Sequence, residues 1–250
     1  MLQQTQSSRV LAPWRQFLDR FPTAADCANA PLSAVLERWE GLGYHRRAKS
    51  LHLCARMIRD EFNGVVPHDR AALMRLPGVG EYTASAVASF AYGRTEAVLD
   101  TNVGRVLARA VANRTLGARE ARALAQALLP RKQVADFNQA MIDLGAQFCR
   151  AAPRCASCPM AAHCRWHVEG GPDPAPASAG VSKSQPTFIG SNRQVRGLLL
   201  ARLRQSPQLP RDLVASLSGV NPASGEVALA GLLRDGLVEH HGPRVRLAQS

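Results

Sequence analysis

Two groups of residues in this 250-residue chain have the types and spacing to do chemistry. The first is Leu76-Pro77-Gly78-Val79-Gly80, with Asp100 twenty residues after Gly80. A Pro-Gly-X-Gly turn between helices points backbone N–H groups outward with no side chain in the way. At the mouth of a helix beginning near Glu81, those amides form a seat for a phosphate. A backbone clamp for phosphate with one carboxylate near it points to an enzyme that grips nucleic acid and works beside its sugar. The second group is Cys149, Cys155, Cys158 and Cys164, spaced C-x5-C-x2-C-x5-C. Thiolates bind soft metals, and four in a compact loop close a tetrahedral zinc site or hold the irons of a cubane. The spacing leaves both open. Cys27 and Cys54 stand alone in helical segments and read as small core residues.

Helices must position these groups. Apolar residues recur at helical spacing over 9–20, 32–39, 46–61, 70–75, 82–92, 101–112, 118–129 and 134–148. Pro22, Pro31, Pro67, Pro77 and Pro130 mark the breaks. Residues 1–167 therefore read as one helical domain carrying the cysteine loop. Residues 168–185, rich in Gly, Pro, Ala and Ser, read as a flexible linker. Residues 186–250 read as a second, smaller α+β domain: helices over 193–204, 209–216 and 226–235, then a hairpin with 236–240 and 244–247 around His241-Gly242-Pro243. That order matches a small winged helix.

Composition narrows the partner. The chain carries 31 Lys and Arg against 19 Asp and Glu, a net charge of +12, which points to a polyanion such as DNA or RNA. The excess is shared, 22 against 13 over residues 1–167 and 9 against 4 over 183–250, so both parts are suited to touch it. No apolar stretch approaches the roughly 20 residues that span a bilayer, and the first residues lack a signal pattern. The expected place is the cytoplasm. Six cysteines in a reducing compartment argue for metal binding over disulfides.

Read together, these motifs resemble the helix-hairpin-helix DNA glycosylases, and among them the MutY-type adenine glycosylases in their actinobacterial form. Met1-Leu2-Gln3-Gln4-Thr5-Gln6, Gly41-Leu42-Gly43-Tyr44, Leu76 through Ala84, Leu99-Asp100-Thr101-Asn102-Val103 and Phe137-Asn138-Gln139-Ala140 follow that family in order over about residues 1–166. The resemblance implies a mainly α, two-lobed fold with a four-iron four-sulfur cluster on the cysteines. It also implies base-excision repair, with hydrolysis of the N-glycosidic bond of adenine mispaired with 8-oxoguanine or guanine in double-stranded DNA, by a monomer. The adenine must leave the stack for a pocket. A protonated carboxyl and an ionised one then divide the work on leaving base and sugar, as in glycoside hydrolysis.

In that scheme Asp100 matches the carboxylate that stabilises the cationic sugar, besides being a favoured N-cap for the helix from Thr101. Asn102 matches a residue supporting it. Gln139 and Leu2 match positions of the adenine pocket. Gln3, Gln4 and Thr5 match a segment inserted near the lesion, Tyr44 matches an aromatic wedge beside 8-oxoguanine, and Leu76, Gly78, Val79 and Gly80 match the DNA-gripping hairpin. Tyr82 stands where strand-cleaving relatives such as endonuclease III carry a Schiff-base lysine, so the resemblance implies a monofunctional enzyme.

The pattern breaks in two places. The family's general-acid Glu falls two residues before the position matching Met1, and the first acidic residue here is Asp19. Two readings follow: a chain that lacks the family's N-terminal segment, its activity as given left open by the missing Glu, or a protein that binds DNA without efficient excision. The first cysteine gap is also five residues where the family usually has six. Two other functions fit the same motifs: a thymine or uracil glycosylase acting opposite guanine, and a non-catalytic iron–sulfur DNA-binding protein.

Overall fold

The computed structural model describes all residues except 4, 6, 179–180, 182–186, 207 and 213–221. It is mainly helical, as expected. The first helices are α1 (Ser7–Arg20), α2 (Ala24–Asn29), α3 (Leu32–Glu37) and α4 (Arg46–Glu61). Next come α5 (Arg70–Arg75), α6 (Glu81–Tyr92), α7 (Thr101–Val106), α8 (Ala118–Ala127), α9 (Val134–Gln147) and α10 (Arg165–Glu169). The last two are α11 (Asn192–Gln205) and α12 (Pro222–Arg234), with strands β1 (Leu209–Pro210), β2 (Val238–His241) and β3 (Arg244–Leu247). Among the described residues no helix is long and apolar enough to cross a membrane.

The chain divides into two compact units. One holds Met1–Pro67, Leu76–Gly78 and Gln185–Ser250; the other holds His68–Arg75 and Val79–Ser184. In the first unit, α11 contributes Val195, Leu199, Leu200 and Leu203 at helical spacing. They share one apolar core with Leu32, Val35, Leu36 and Trp39, each no more than 1% exposed, and with Leu229, Leu232, Leu237 and Val245. The C-terminal residues are thus built into the same core as α1–α4. Their three-stranded antiparallel sheet has the order β1-β3-β2, with Leu209 opposite Val245 and Val238 opposite Leu247.

Three features differ from the sequence reading. Helix α2 was not anticipated; its signal is a capping box in which Thr23 Oγ1 accepts from Asp26 N while Asp26 Oδ2 accepts from Thr23 N. Leu209 and Pro210 pair as an edge strand, so the expected helix opens only at Arg211, and residues 213–216 of it lie outside the described residues. Part of the expected linker is also packed. Ala175 joins the core of the second unit, beside Val103, Leu107 and Leu116. Ser178 Oγ accepts from Leu116 N at 3.1 Å, and Asp173 pairs with the buried Arg109. Small and polar residues make these ties, so composition alone classes the stretch as loose.

Candidate active site

Asp100 caps α7: its Oδ1 accepts from Val103 N at 2.8 Å. Its Oδ2 accepts from Asn102 Nδ2, also at 2.8 Å. Each carboxylate oxygen keeps lone-pair capacity for a further partner. The network continues outward. Asn102 Oδ1 accepts from Arg105 Nη2 at 2.7 Å, and Arg105 also donates to Thr101 Oγ1 and to the carbonyls of Gly145 and Cys149. Gly145, inside α9, makes room for this arrangement: a Cβ there would sit 2.5 Å from Asn102 Cβ and 2.6 Å from its carbonyl oxygen. The strand-like approach to Asp100 is pinned by the buried Asn138, which accepts from Val98 N and donates to Ser89 Oγ and Glu96 O. Tyr82 lies close enough to feel the carboxylate. Burial, and then the charge of Asp100, push its phenol above the ordinary value, so it stays protonated at neutral pH.

Gln139 is exposed on α9 and donates to Asp143 Oδ1 at 3.0 Å. Leu2 is 64% exposed in the first unit, and Gln4 lies outside the described residues.

The expected lesion-side residues of the first unit gather around Arg47. Its Nη2 donates to Thr5 Oγ1 at 2.9 Å and to the carbonyls of Leu42 and Gly43; its Nη1 donates to the carbonyls of Met1 and Gln3. One guanidinium thereby ties Met1, Gln3 and Thr5 to the bend at Leu42 and Gly43. The bend itself is left-handed: Gly41 and Gly43 have φ of 75° and 67°, and Tyr44 follows at 48°. Glycine takes that conformation freely, but a tyrosine does so at a cost of about 1–3 kcal/mol. The Arg47 guanidinium lies 5.3 Å from the centroid of the Tyr44 ring. Gln3 Nε2 reaches the Gly78 carbonyl at 3.4 Å. Gly78 is left-handed (φ 79°), and a Cβ on it would meet Ser50 Cβ at 2.5 Å. Leu76 is buried and anchors the turn, whereas Gly78 and Gly80 are exposed. Gly80 caps α6, and a Cβ on it would meet open space.

Cys149, Cys155, Cys158 and Cys164 line a single cavity together with Val106, Arg109 and Trp166. Burial, then Cys164 and Cys158, push the Cys155 thiol up; burial raises that of Cys149 against the pull of Arg109. Among the described residues no three His, Cys, Asp or Glu side chains converge as ligands of one ion. Arg109, 1% exposed, donates to Cys149 Sγ at 3.5 Å and to the carbonyls of Arg150 and Ala151, and forms a bidentate pair with Asp173. Its guanidinium lies over Trp166. A cation fixed at the rim suits a group held by several thiolates, and the donor set fits an iron–sulfur centre.

Sequence reasoning passed over Arg47, Gly145, Arg105 and Arg109, and gave Asn138 no role of its own within its motif. Two left a trace. A glycine inside a helical pattern signals a close approach, and a basic pair opening α4 runs against the helix dipole. The others show their roles only once the chain is folded.

Residues 1–131 match the family model of HhH-GPD superfamily base excision DNA repair proteins. The adenine DNA glycosylase of Mycolicibacterium smegmatis is 45% identical over 246 residues, covering 96% of this chain and 81% of that one. Among solved structures, a thermostable thymine-DNA glycosylase superposes with a TM-score of 0.62 at 29% identity, covering 67% of this chain and 80% of the other. A non-covalent endonuclease III–DNA complex gives 0.59 at 29% identity, covering 66% and 79%. The chain belongs to the HhH-GPD superfamily of base excision DNA repair proteins and, within it, to the adenine DNA glycosylases, enzymes that hydrolyse N-glycosyl bonds.

Proposed function

We propose that this chain is a monofunctional glycosylase that removes adenine opposite 8-oxoguanine or guanine in double-stranded DNA. The observation that carries the reading is Asp100, fixed by Val103 N and Asn102 Nδ2 with lone-pair capacity to spare. As the bond to adenine lengthens, positive charge grows on the sugar, and an oriented carboxylate stabilises it. Tyr82 beside it is a phenol that forms no Schiff base, which favours hydrolysis without strand cleavage. Residues 1–18 contain no acidic side chain, so a carboxyl of that segment is not the donor to the purine. Gln139 and Leu2 are assigned to the adenine pocket. Gln3, Gln4, Thr5 and Tyr44 are assigned to the lesion side, and the Gly78–Gly80 turn to a phosphate.

Cys149, Cys155, Cys158 and Cys164 are assigned to a four-iron four-sulfur cluster. Four thiols around one cavity, in a compact loop, support this reading. When bound, the cluster supplies a covalent staple for the loop and a one-electron centre. The glycosylase chemistry is assigned to residues 1–167, while 186–250, winged-helix-like in element order, complete the core of α1–α4.

Single-turnover assays on duplexes holding A·8-oxoguanine, A·G and T·G test the reading, with alkali revealing abasic sites. Adenine release that is fastest opposite 8-oxoguanine and lost in Asp100→Asn is expected. Release of thymine with adenine untouched, or tight binding with no abasic product, would overturn it.

A further inference from the structure

The polar contacts that the C-terminal residues make with the N-terminal helices concentrate on one stretch, Glu40 to Lys49. Arg204 pairs with Glu40 at 3.3 Å and donates to His45 Nε2 at 3.1 Å. Lys49 Nζ donates to the Asp235 carbonyl at 3.0 Å, and Arg46 and Arg196 both pair with the Asp235 carboxylate. At the centre of the stretch, Arg193 Nη1 donates to the Tyr44 hydroxyl at 2.9 Å. The Arg193 guanidinium also lies 5.7 Å from the Tyr44 ring centroid and 5.4 Å from that of Phe188. Arg193 springs from the first turn of α11, whose Val195, Leu199, Leu200 and Leu203 are at most 1% exposed, so its base is rigid. Tyr44 itself sits at a φ of 48°, a conformation that persists only where its surroundings hold it.

We propose that Arg193 is a positioning residue for Tyr44, and that through this contact the C-terminal residues set the preference for 8-oxoguanine over guanine opposite the excised adenine. An aromatic ring fixed before the base arrives avoids an ordering cost and holds the geometry in which bases of different stacking strength are told apart. Arg47 and the two left-handed glycines fix the backbone of the bend. Arg193 fixes the hydroxyl and shares the ring with Arg47. The inference rests on the proposed substrate, in which Tyr44 faces the 8-oxoguanine side.

The test measures binding of the full 250-residue chain to duplexes carrying a non-hydrolysable 2′-fluoro-2′-deoxyadenosine opposite 8-oxoguanine or guanine. Wild-type chain that does not prefer the 8-oxoguanine duplex would overturn the substrate reading and this inference together. Given that preference, Arg193→Met is expected to shrink the affinity ratio about tenfold, with Arg193→Lys intermediate. In a Tyr44→Leu background Arg193→Met should change the ratio no further. Tyr44→Phe, which removes only the hydroxyl, should lose part of the ratio with thermal unfolding unchanged, a pattern a purely structural contact would not produce. A ratio unchanged in Arg193→Met, or effects of Arg193→Met and Tyr44→Leu that multiply, would overturn the inference while leaving the substrate reading intact.

Discussion

Asp100 depends on its neighbours for its aim, and Gly145 is the one among them with no chemistry of its own. A methyl group there would stand 2.5 Å from Asn102 Cβ and against that residue's carbonyl. Either α9 moves away or Asn102 turns, and the hydrogen bond to Asp100 Oδ2 is lost or bent. Misplacing a catalytic group by about 1 Å costs on the order of a hundredfold in rate. Gly145→Ala is therefore expected to slow adenine release about 10–100-fold in single-turnover assays while duplex affinity changes little. His45 supplies a second residue-scale expectation. Burial, then Arg204, Arg196 and Arg47, lower its pKa to about 4. A depressed pKa means the unfolded chain takes up a proton, near the ordinary 6.5, that the folded chain refuses. The stability contributed by neutral His45 is thus complete above about pH 6.5 and is lost as pH falls towards 4, by ~3 kcal/mol at most. Urea unfolding across that range should show the slope, and His45→Gln should flatten it.

At the scale of elements, the turn before α6 separates two kinds of glycine. Gly78 is required by the fold, because its φ is 79° and Ser50 occupies the space a Cβ would need. Gly80 has an ordinary backbone (φ −92°) and open space beside it, so no described neighbour requires its bareness. Gly78→Ala should lower stability by about 1–3 kcal/mol in thermal or urea unfolding. Gly80→Ala should leave unfolding unchanged and weaken duplex binding several-fold, as expected if a phosphate approaches the amides at the mouth of α6. Both glycines were visible in the sequence as one motif; only the folded chain shows that their duties differ. The same limit recurs elsewhere. Helix 46–61 follows from apolar periodicity alone, since it buries a stripe. Helix α2 has only six residues, too few for periodicity, and rests on its cap. Asp100 and Asn102 carried their chemistry in their types. Arg47 and Asn138 did not, because an arginine's acceptors and a buried amide's partners lie tens of residues away in sequence.

For the whole molecule, composition marks 168–185 as a joint between two domains, yet the packing on its C-terminal side is continuous with α1–α4. Val195, Leu199, Leu200, Leu203, Leu229, Leu232, Leu237 and Val245 belong to the same core as Leu32, Val35, Leu36 and Trp39. Each fully buried side chain of this kind contributes about 1.5–3 kcal/mol relative to exposure, whereas a domain's entire stability is about 5–15 kcal/mol. The backbone is shared as well as the core, since Leu32 N donates to the Gln249 carbonyl. Ending the chain at residue 185 would leave α3 with its buried face in water and Tyr44 without Arg193. Such a truncated chain should lose the cooperative melting of residues 1–67, with rapid proteolysis within α1–α4, while fragments from residues 79–184 persist longer. A truncated chain that melts as sharply and as high as the full one would show instead that residues 186–250 are an appended module. The proposed hold on Tyr44 would then be an ornament on a self-sufficient catalytic unit, and the preference for the opposite base would have to be sought within residues 1–167.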